Sequence, residues 1–288
     1  MAVDLHIHST ASDGTVPPGD LPQLAADAKL KAIALTDHDT TAGITDFLAK
    51  QEIFPQVELI PGVEISSIAG AREVHIVGLF IDCGNGNLQK FLQEMRNERV
   101  SRAERMLEKL RSLGYDISDD DLRRAGMNDE VPGRPHFARV LINKYNFPDN
   151  AAVFARVLGR HCAGYVPRRL PAPEEAIRVI KNAGGTAVWA HPFSARNNDN
   201  NLVRRWLPVL KNAGLDALEA YYSEYDKNKT ATALRIAAEN SLAVSGGSDF
   251  HGSVHPDTHI GSGKDSLCVP DETVEILRRK TLPKVVLM

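Results

Sequence analysis

Six histidines and three carboxylates carry the chemistry legible in this chain: His6, His8, Asp13, His38, Glu64, His75, His191, Asp249 and His251. Imidazole nitrogen and carboxylate oxygen are the donors of divalent-ion sites, and nine of them exceed what one ion takes. The economical reading is two or three ions sharing a carboxylate. Donors that are all nitrogen and oxygen point to manganese, zinc, iron or magnesium rather than to copper-thiolate or iron-sulfur chemistry. Cys83, Cys162 and Cys268 are far apart with no CxxC pair, which argues against a thiolate zinc site or a disulfide framework and fits a reducing compartment.

For nine donors to meet, strands must deliver them to one end of a fold. Val3 to Ile7 reads as a buried strand whose alternation turns His6 and His8 the same way, with Asp13 in the Ser/Thr/Gly loop that follows. A helix over Pro22 to Leu30 leads to a strand over Lys31 to Thr36 ending in Thr-Asp-His-Asp-Thr, where Asp37 or Asp39 could orient ligands. A helix over Thr41 to Gln51 precedes strands over Val57 to Ile65, carrying Glu64, and over Glu73 to Phe80, carrying His75. The rhythm is that of an α/β barrel whose site is built at the carboxyl ends of parallel strands.

Helical patterns then run without a strand through Leu88–Leu113, Ser118–Gly126, Pro135–Lys144 and Asp149–Leu158. The expectation is a barrel made of residues 1–98 and 166–288, with 99–165 a helical insertion. Alternation resumes with helices over Glu174–Ala183, Leu202–Ala213 and Lys227–Glu239 and strands over Thr186–Ala190, Asp216–Ala220 and Ala243–Ser245. Gly246-Gly247 reads as a tight turn that lets Asp249 reach inward, and Trp189, Tyr221 and Tyr222 read as core or rim.

His6-x-His8 with Asp13, Thr36-Asp37-His38, Gly62-Val63-Glu64, His75, Ala190-His191-Pro192 and Ser248-Asp249-Phe250-His251 resemble, in order, the motifs of the polymerase and histidinol phosphatase (PHP) family. The resemblance implies a distorted seven-stranded (β/α)7 barrel of the PHP type holding up to three ions. It implies that His6, His8, Glu64 and Asp249 hold one ion, Glu64, His75 and His191 a second, and Asp13, His38 and His251 a third. Manganese is the first expectation, with zinc, iron and magnesium as alternatives. Gly133-Arg134-Pro135-His136 followed by Tyr165-Val166-Pro167 resembles the branch that includes 3',5'-bisphosphonucleotide phosphatases and enzymes trimming short RNA from its 5' end.

The implied reaction is hydrolysis of a phosphate monoester of a nucleoside 3',5'-bisphosphate by a metal-bound hydroxide, since coordination lowers the pKa of water to about 7. Adenosine 3',5'-bisphosphate would release its 3'-phosphate to give 5'-AMP, and short 5'-phosphorylated RNA would be a further substrate. His191, Asp249 and His251 are the candidate catalytic residues, His191 and His251 as candidate general acids beside a coordinated water. The insertion would form a substrate lid. Arg99 and Arg102, three apart on one helix face, and Arg134 and His136 are its candidate substrate-binding residues, arginine matching phosphate bidentately. Against the two helical arginines stands a solvent-face reading, because Glu98 and Arg102 form an i,i+4 pair. Competing readings are histidinol phosphate or another small phosphomonoester as substrate, an amidohydrolase, and a non-catalytic metal-binding PHP module. Glu64 stands where amidohydrolases use a carboxylated lysine, which disfavours that class.

A formal charge of -3 offers no global field for duplex nucleic acid or an anionic membrane. The chain opens on a strand rather than a basic-then-apolar leader, and no apolar run has membrane-spanning length, so the expectation is a cytoplasmic protein. No protein partner is inferred.

Overall fold

The computed structural model describes residues 2–125, 132–194, 200–264 and 267–281. Contacts divide the chain into two compact units, Met1–Leu92 with Leu170–Met288, and Gln93–Arg169. Gly126, expected to end a helix, and positions 196–199, whose run of polar residues suggests a loop, lie outside the described residues.

The first unit is a mixed, nearly closed barrel. Its strands are β1 (Ala2–Ile7), β2 (Ala32–Leu35), β3 (Glu58–Ala69), β4 (Arg72–Leu79), β5 (Thr186–Trp189), β6 (Ala217–Tyr222), β7 (Ala243–Gly247) and β8 (Val269–Pro270), in the order β7-β6-β5-β4-β3-β2-β1-β8. Pairing is parallel from β1 to β3 and from β5 to β7, whereas β3–β4 and β4–β5 are antiparallel. The expected all-parallel rhythm therefore fails in the middle of the sheet. Gly70 at φ 65° turns β3 directly back into β4, so no helix intervenes there. The barrel shuts where the chain after β7 meets β1, with Ile7 bridging Phe250 and the Asp249 amide donating to the His6 carbonyl at 2.9 Å.

Close closure explains Gly246-Gly247. Both lie in β7 and not in a turn. A Cβ on Gly247 would sit 2.4 Å from His6 Cβ, and one on Gly246 would sit 2.5 Å from Tyr221 Cβ. At the other end of the strands, β8 pairs antiparallel with β1, neither it nor the final helix having been read from the sequence.

Alternation sorts the apolar residues into an inner and an outer layer. Val3, Leu5, Ala32, Ala34, Ile60, Val77, Leu79 and Val188 form one buried cluster, and the small alanines keep the lumen narrow. Ile7, Ile33, Leu35 and Leu59 pack outward with Leu21, Ala25, Ile44 and Phe47 of α1 (Leu21–Asp27) and α2 (Ile44–Leu48). Val3 and Leu5 lie in the inner cluster and Ile7 in the outer, so β1 changes face, and its pairing shifts register between Asp4 and Ile7. That bulge turns His6 and His8 into the lumen.

Helix α3 (Gly86–Ser112) starts in the barrel unit and runs on into the second. There, α4 (Asp119–Arg124), α5 (Arg134–Tyr145), α6 (Asn150–Val153) and a single π-turn (Phe154–Leu158) bury Met106, Leu110, Leu122, Phe137, Leu141 and Val157 in a core of their own. The described residues of this unit contain no strand. Back in the barrel unit, α7 (Pro173–Asn182), α8 (Asn200–Asn212) and α9 (Lys227–Glu239) separate the later strands. Helix α10 (Glu272–Arg278) covers the end opposite the polar cluster. Its Leu277 carbonyl accepts from Thr186 Oγ at the start of β5, and Arg278 pairs with Glu58 at the start of β3. No helix of the described residues is long and apolar enough to cross a membrane.

Candidate metal centre

All nine donors converge on the barrel end where β1, β2, β5 and β7 finish. Glu64 is the hub. It lies mid-way along β3, fully buried, and its Oε2 faces His6 Nε2 at 3.3 Å, His8 Nε2 at 3.2 Å and His38 Nδ1 at 2.9 Å. Its Oε1 faces His75 Nδ1 at 2.8 Å and His191 Nε2 at 3.0 Å. His75 reaches this end because β4 runs against β3, bringing an early residue of the strand to the same level.

Three donor groups result: His6, His8, Glu64 and Asp249; His8, Asp13, His38 and His251; and His38, Glu64 and His75. The first is the set implied by the resemblance. The third ion's implied set gains His8, whose Nδ1 lies 3.7 Å from Asp13 while its Nε2 faces Glu64 and Asp249. In the second, His38 takes the place given to His191, although His191 still contacts Glu64 Oε1, the oxygen that His75 faces.

The donors fit an ion better than they fit one another. His6 Nε2, both ring nitrogens of His8, His38 Nδ1, Glu64 Oε2 and His191 Nδ1 are buried without a hydrogen-bond partner. Buried polar atoms are almost always satisfied, so six orphans in one cluster need a ligand. Donors held 2.0–2.2 Å from a common ion lie about 3 to 3.5 Å apart. The first group matches that spacing, with Asp249 Oδ1 3.5 Å from His6 Nε2 and 3.2 Å from His8 Nε2.

Charge in the cluster is already polarised. Burial opposes ionisation of Glu64 and Asp249, yet the facing histidines hold both carboxyls well below their usual range. Burial likewise opposes a proton on His8 and His75, but Asp249 and Glu64 on the first and Glu64 on the second outweigh it and push both up to about 10. Backbone strain marks the same place, with Asp39, His191 and Asp249 at φ 55°, 30° and 56°.

Asp37 and Asp39 hold loops. Asp37 accepts from the Ser9 amide at 2.8 Å and from the Ser9 and Ser12 hydroxyls at 2.6 Å each, and Asp39 accepts from the Ser66 amide at 2.8 Å. Three residues of the site escaped the sequence reading. Asp4 is fully buried and accepts from the Ser248 amide, the Ser248 hydroxyl and the Gly261 amide at 2.8, 2.6 and 2.7 Å, fixing the loop that bears Asp249. Glu219 contacts His6 and His191, and Tyr222 donates to Asp249 Oδ2 at 2.9 Å. Asp4 and Glu219 sit among apolar neighbours in a strand, where no spacing signals a polar role, and Tyr222, expected in the core or rim, ends β6.

The residues expected to bind substrate lie in the helical unit. Arg102 Nε donates to the Val166 carbonyl at 3.0 Å, and Glu98 pairs with Arg105 at 2.6 Å. Arg99 is half-buried on the same helix. The Arg134 guanidinium stands 5.6 Å from the Phe154 ring centre and 5.9 Å from that of Tyr165. His136 Nδ1 accepts from the Gly133 amide at 3.1 Å, and burial together with Arg139 pulls its pKa down, leaving a neutral ring with its hydrogen on Nε2.

A family model for the PHP domain matches residues 4–147. A 5'-3' exoribonuclease named Rnm from Escherichia coli is 37% identical over 256 residues, spanning 86% of this chain and 84% of that protein. The chain belongs to the PHP family. A 3',5'-nucleoside bisphosphate phosphatase from Chromobacterium violaceum is 32% identical over 270 residues, 93% of this chain and 94% of that one. A solved structure described as an amidohydrolase from the same organism, with bound sulfate and no metal, superposes with a TM-score of 0.77 at 32% identity, covering 91% of this chain and 90% of that one. With this membership the polar cluster is that of a PHP metal-dependent phosphoesterase, a hydrolase, and its donor groups fit a multinuclear site.

Proposed function

We propose that the protein is a manganese-dependent phosphatase of nucleoside 3',5'-bisphosphates, releasing the 3'-phosphate, with short 5'-phosphorylated RNA as a second substrate. The observation that carries this is the set of orphaned, buried donors around Glu64. Similarity across most of the chain to both an exoribonuclease and a bisphosphate phosphatase supports the choice of substrate.

The nine residues named from the sequence would hold two or three divalent ions, Glu64 serving more than one through its two oxygens. Such ions supply charge neutralisation of the phosphoryl oxygens and acidify a coordinated water to a pKa of about 7. Asp249 presents Oδ1 to the cluster because Tyr222 holds Oδ2. His251 donates its Nδ1 hydrogen to the Asp249 carbonyl at 2.8 Å, so Nε2, 3.2 Å from Asp13, is the atom it offers. That nitrogen either holds an ion or delivers a proton to the leaving oxygen, and His191 Nδ1 is the other candidate donor. Arg134 and the Nε2 hydrogen of His136, together with Arg99 and Arg102, would recognise the uncleaved phosphate, and the helical segment 99–165 would act as a lid. A guanidinium and a neutral imidazole donor suit a phosphate dianion.

The reading is tested by phosphate release from adenosine 3',5'-bisphosphate and from histidinol phosphate, on manganese-loaded and metal-stripped protein. It expects manganese-dependent release of phosphate from the bisphosphate alone, leaving 5'-AMP. Release from histidinol phosphate at equal efficiency would overturn it.

A further inference from the structure

β6 supplies none of the nine donors, yet it touches three of them. Glu219, 2% exposed, faces His6 Nδ1 with Oε1 at 3.1 Å and accepts from the His191 amide with Oε2 at 2.6 Å. Tyr222, three positions on, donates to Asp249 Oδ2. Residues three apart on a regular strand face opposite sides. Here the pairing with β7 runs Glu219 to Ser245, then Tyr221 to Gly246 and Tyr222 to Gly247, leaving Ala220 as an extra residue. This bulge brings Glu219 and Tyr222 to one face.

We infer that β6 is the positioning strand of the centre, with Glu219 setting the tautomer of His6 and the backbone of His191 while Tyr222 sets the orientation of Asp249. The inference rests on the reading that the cluster binds divalent ions. A carboxylate only accepts, so His6 carries a hydrogen on Nδ1, and Nε2, which faces Glu64 and Asp249, is the nitrogen left to give its lone pair to an ion. The other oxygen of Glu219 secures the amide of His191, a residue held at positive φ. Glutamine cannot do both. With its oxygen on the His191 amide, its NH2 faces His6 Nδ1 and favours the tautomer with hydrogen on Nε2, the atom an ion needs.

The test uses the full chain stripped of metal and titrated with zinc against a competing chelator, as wild type, Glu219→Gln and Tyr222→Phe. Glu219→Gln is expected to fold cooperatively and to bind zinc about 10 to 100-fold more weakly, with Tyr222→Phe weakened by a smaller factor. In zinc-saturated wild type the His6 Nδ1 hydrogen should give a downfield resonance protected from exchange. It should lose both properties in Glu219→Gln, a change that a merely structural role would not cause. Wild-type zinc affinity in folded Glu219→Gln, or an unchanged His6 resonance, overturns the inference. If Glu219→Gln does not fold, Tyr222→Phe decides, and wild-type affinity there overturns it. Failure of the wild-type protein to take up zinc would instead remove the ion-binding reading, and the inference with it.

Discussion

The donors at the barrel end and the residues Arg102, Arg134 and His136 of the helical unit were both singled out for their chemistry, but their surroundings treat them in opposite ways. Around Glu64, six buried donor atoms on His6, His8, His38, His191 and Glu64 itself face the cluster without a hydrogen-bond partner. In the helical unit Arg102 serves a carbonyl, Arg134 stands by two aromatic rings and His136 accepts from its own helix start. Orphaned atoms have no structural reason to be buried, so they speak for a ligand. Satisfied atoms do not distinguish a structural role from a functional one. The difference teaches where substitution must be followed by two readouts and where one suffices.

The comparison breaks most readily at the barrel. Asp249→Asn is expected to lose ions and hydrolysis together, by more than the hundredfold that changes behind a ligand typically cost. Metal analysis and turnover on the same sample check this, and hydrolysis surviving without ions would separate cluster from chemistry.

In the helical unit, Arg134→Ala should keep the full ion content and lose about 10 to 100-fold in kcat/KM toward bisphosphates, the worth of charge-assisted hydrogen bonds of about 1.5–3 kcal/mol. Unchanged kcat/KM would leave Arg134 only its rings. Arg102 sharpens the contrast from the other side. Arg102→Ala should cost about 1 kcal/mol of stability by removing the bond to Val166, read as a lower denaturation midpoint at constant ion content.

Metal removal acts on stability, and its effect depends on pH. At an ion concentration of 100 Kd, binding adds about 2.7 kcal/mol to stability. In the metal-free protein His8 and His75 are raised from 6.5 to about 10, so their contribution is fully present below pH 6.5 and is lost as pH rises toward 10. Ions displace those protons. The gap in Tm between loaded and stripped protein should therefore widen from pH 6.5 to 10, and a gap that narrows over that range would contradict the protonation scheme.

The donor set was legible because most of its members stand near strand ends or in Asp/Ser/Gly loops, and Glu64 and His75, which lie within β3 and β4, are polar residues that interrupt apolar runs. Glu219 was not, because its partner His6 is 213 residues away and its inward aim depends on a bulge that no residue type announces. Asp4 was hidden in the same way within β1. The β3–β4 hairpin was read as two strands, but their direction follows from the two-residue reversal at Gly70 and Ala71, which strand patterning does not register. β8 has two residues, too few for any periodicity, although its pairing with β1 and the packing of α10 finish the barrel.

The most direct measurement is anomalous diffraction from crystals soaked in manganese, with hydrolysis of adenosine 3',5'-bisphosphate assayed on the dissolved crystals. An ion is expected within bonding distance of His6 Nε2, His8 Nε2, Glu64 Oε2 and Asp249 Oδ1, with at least one more sharing Glu64 or reached by Asp13. Active crystals with no ion among those four atoms would contradict it.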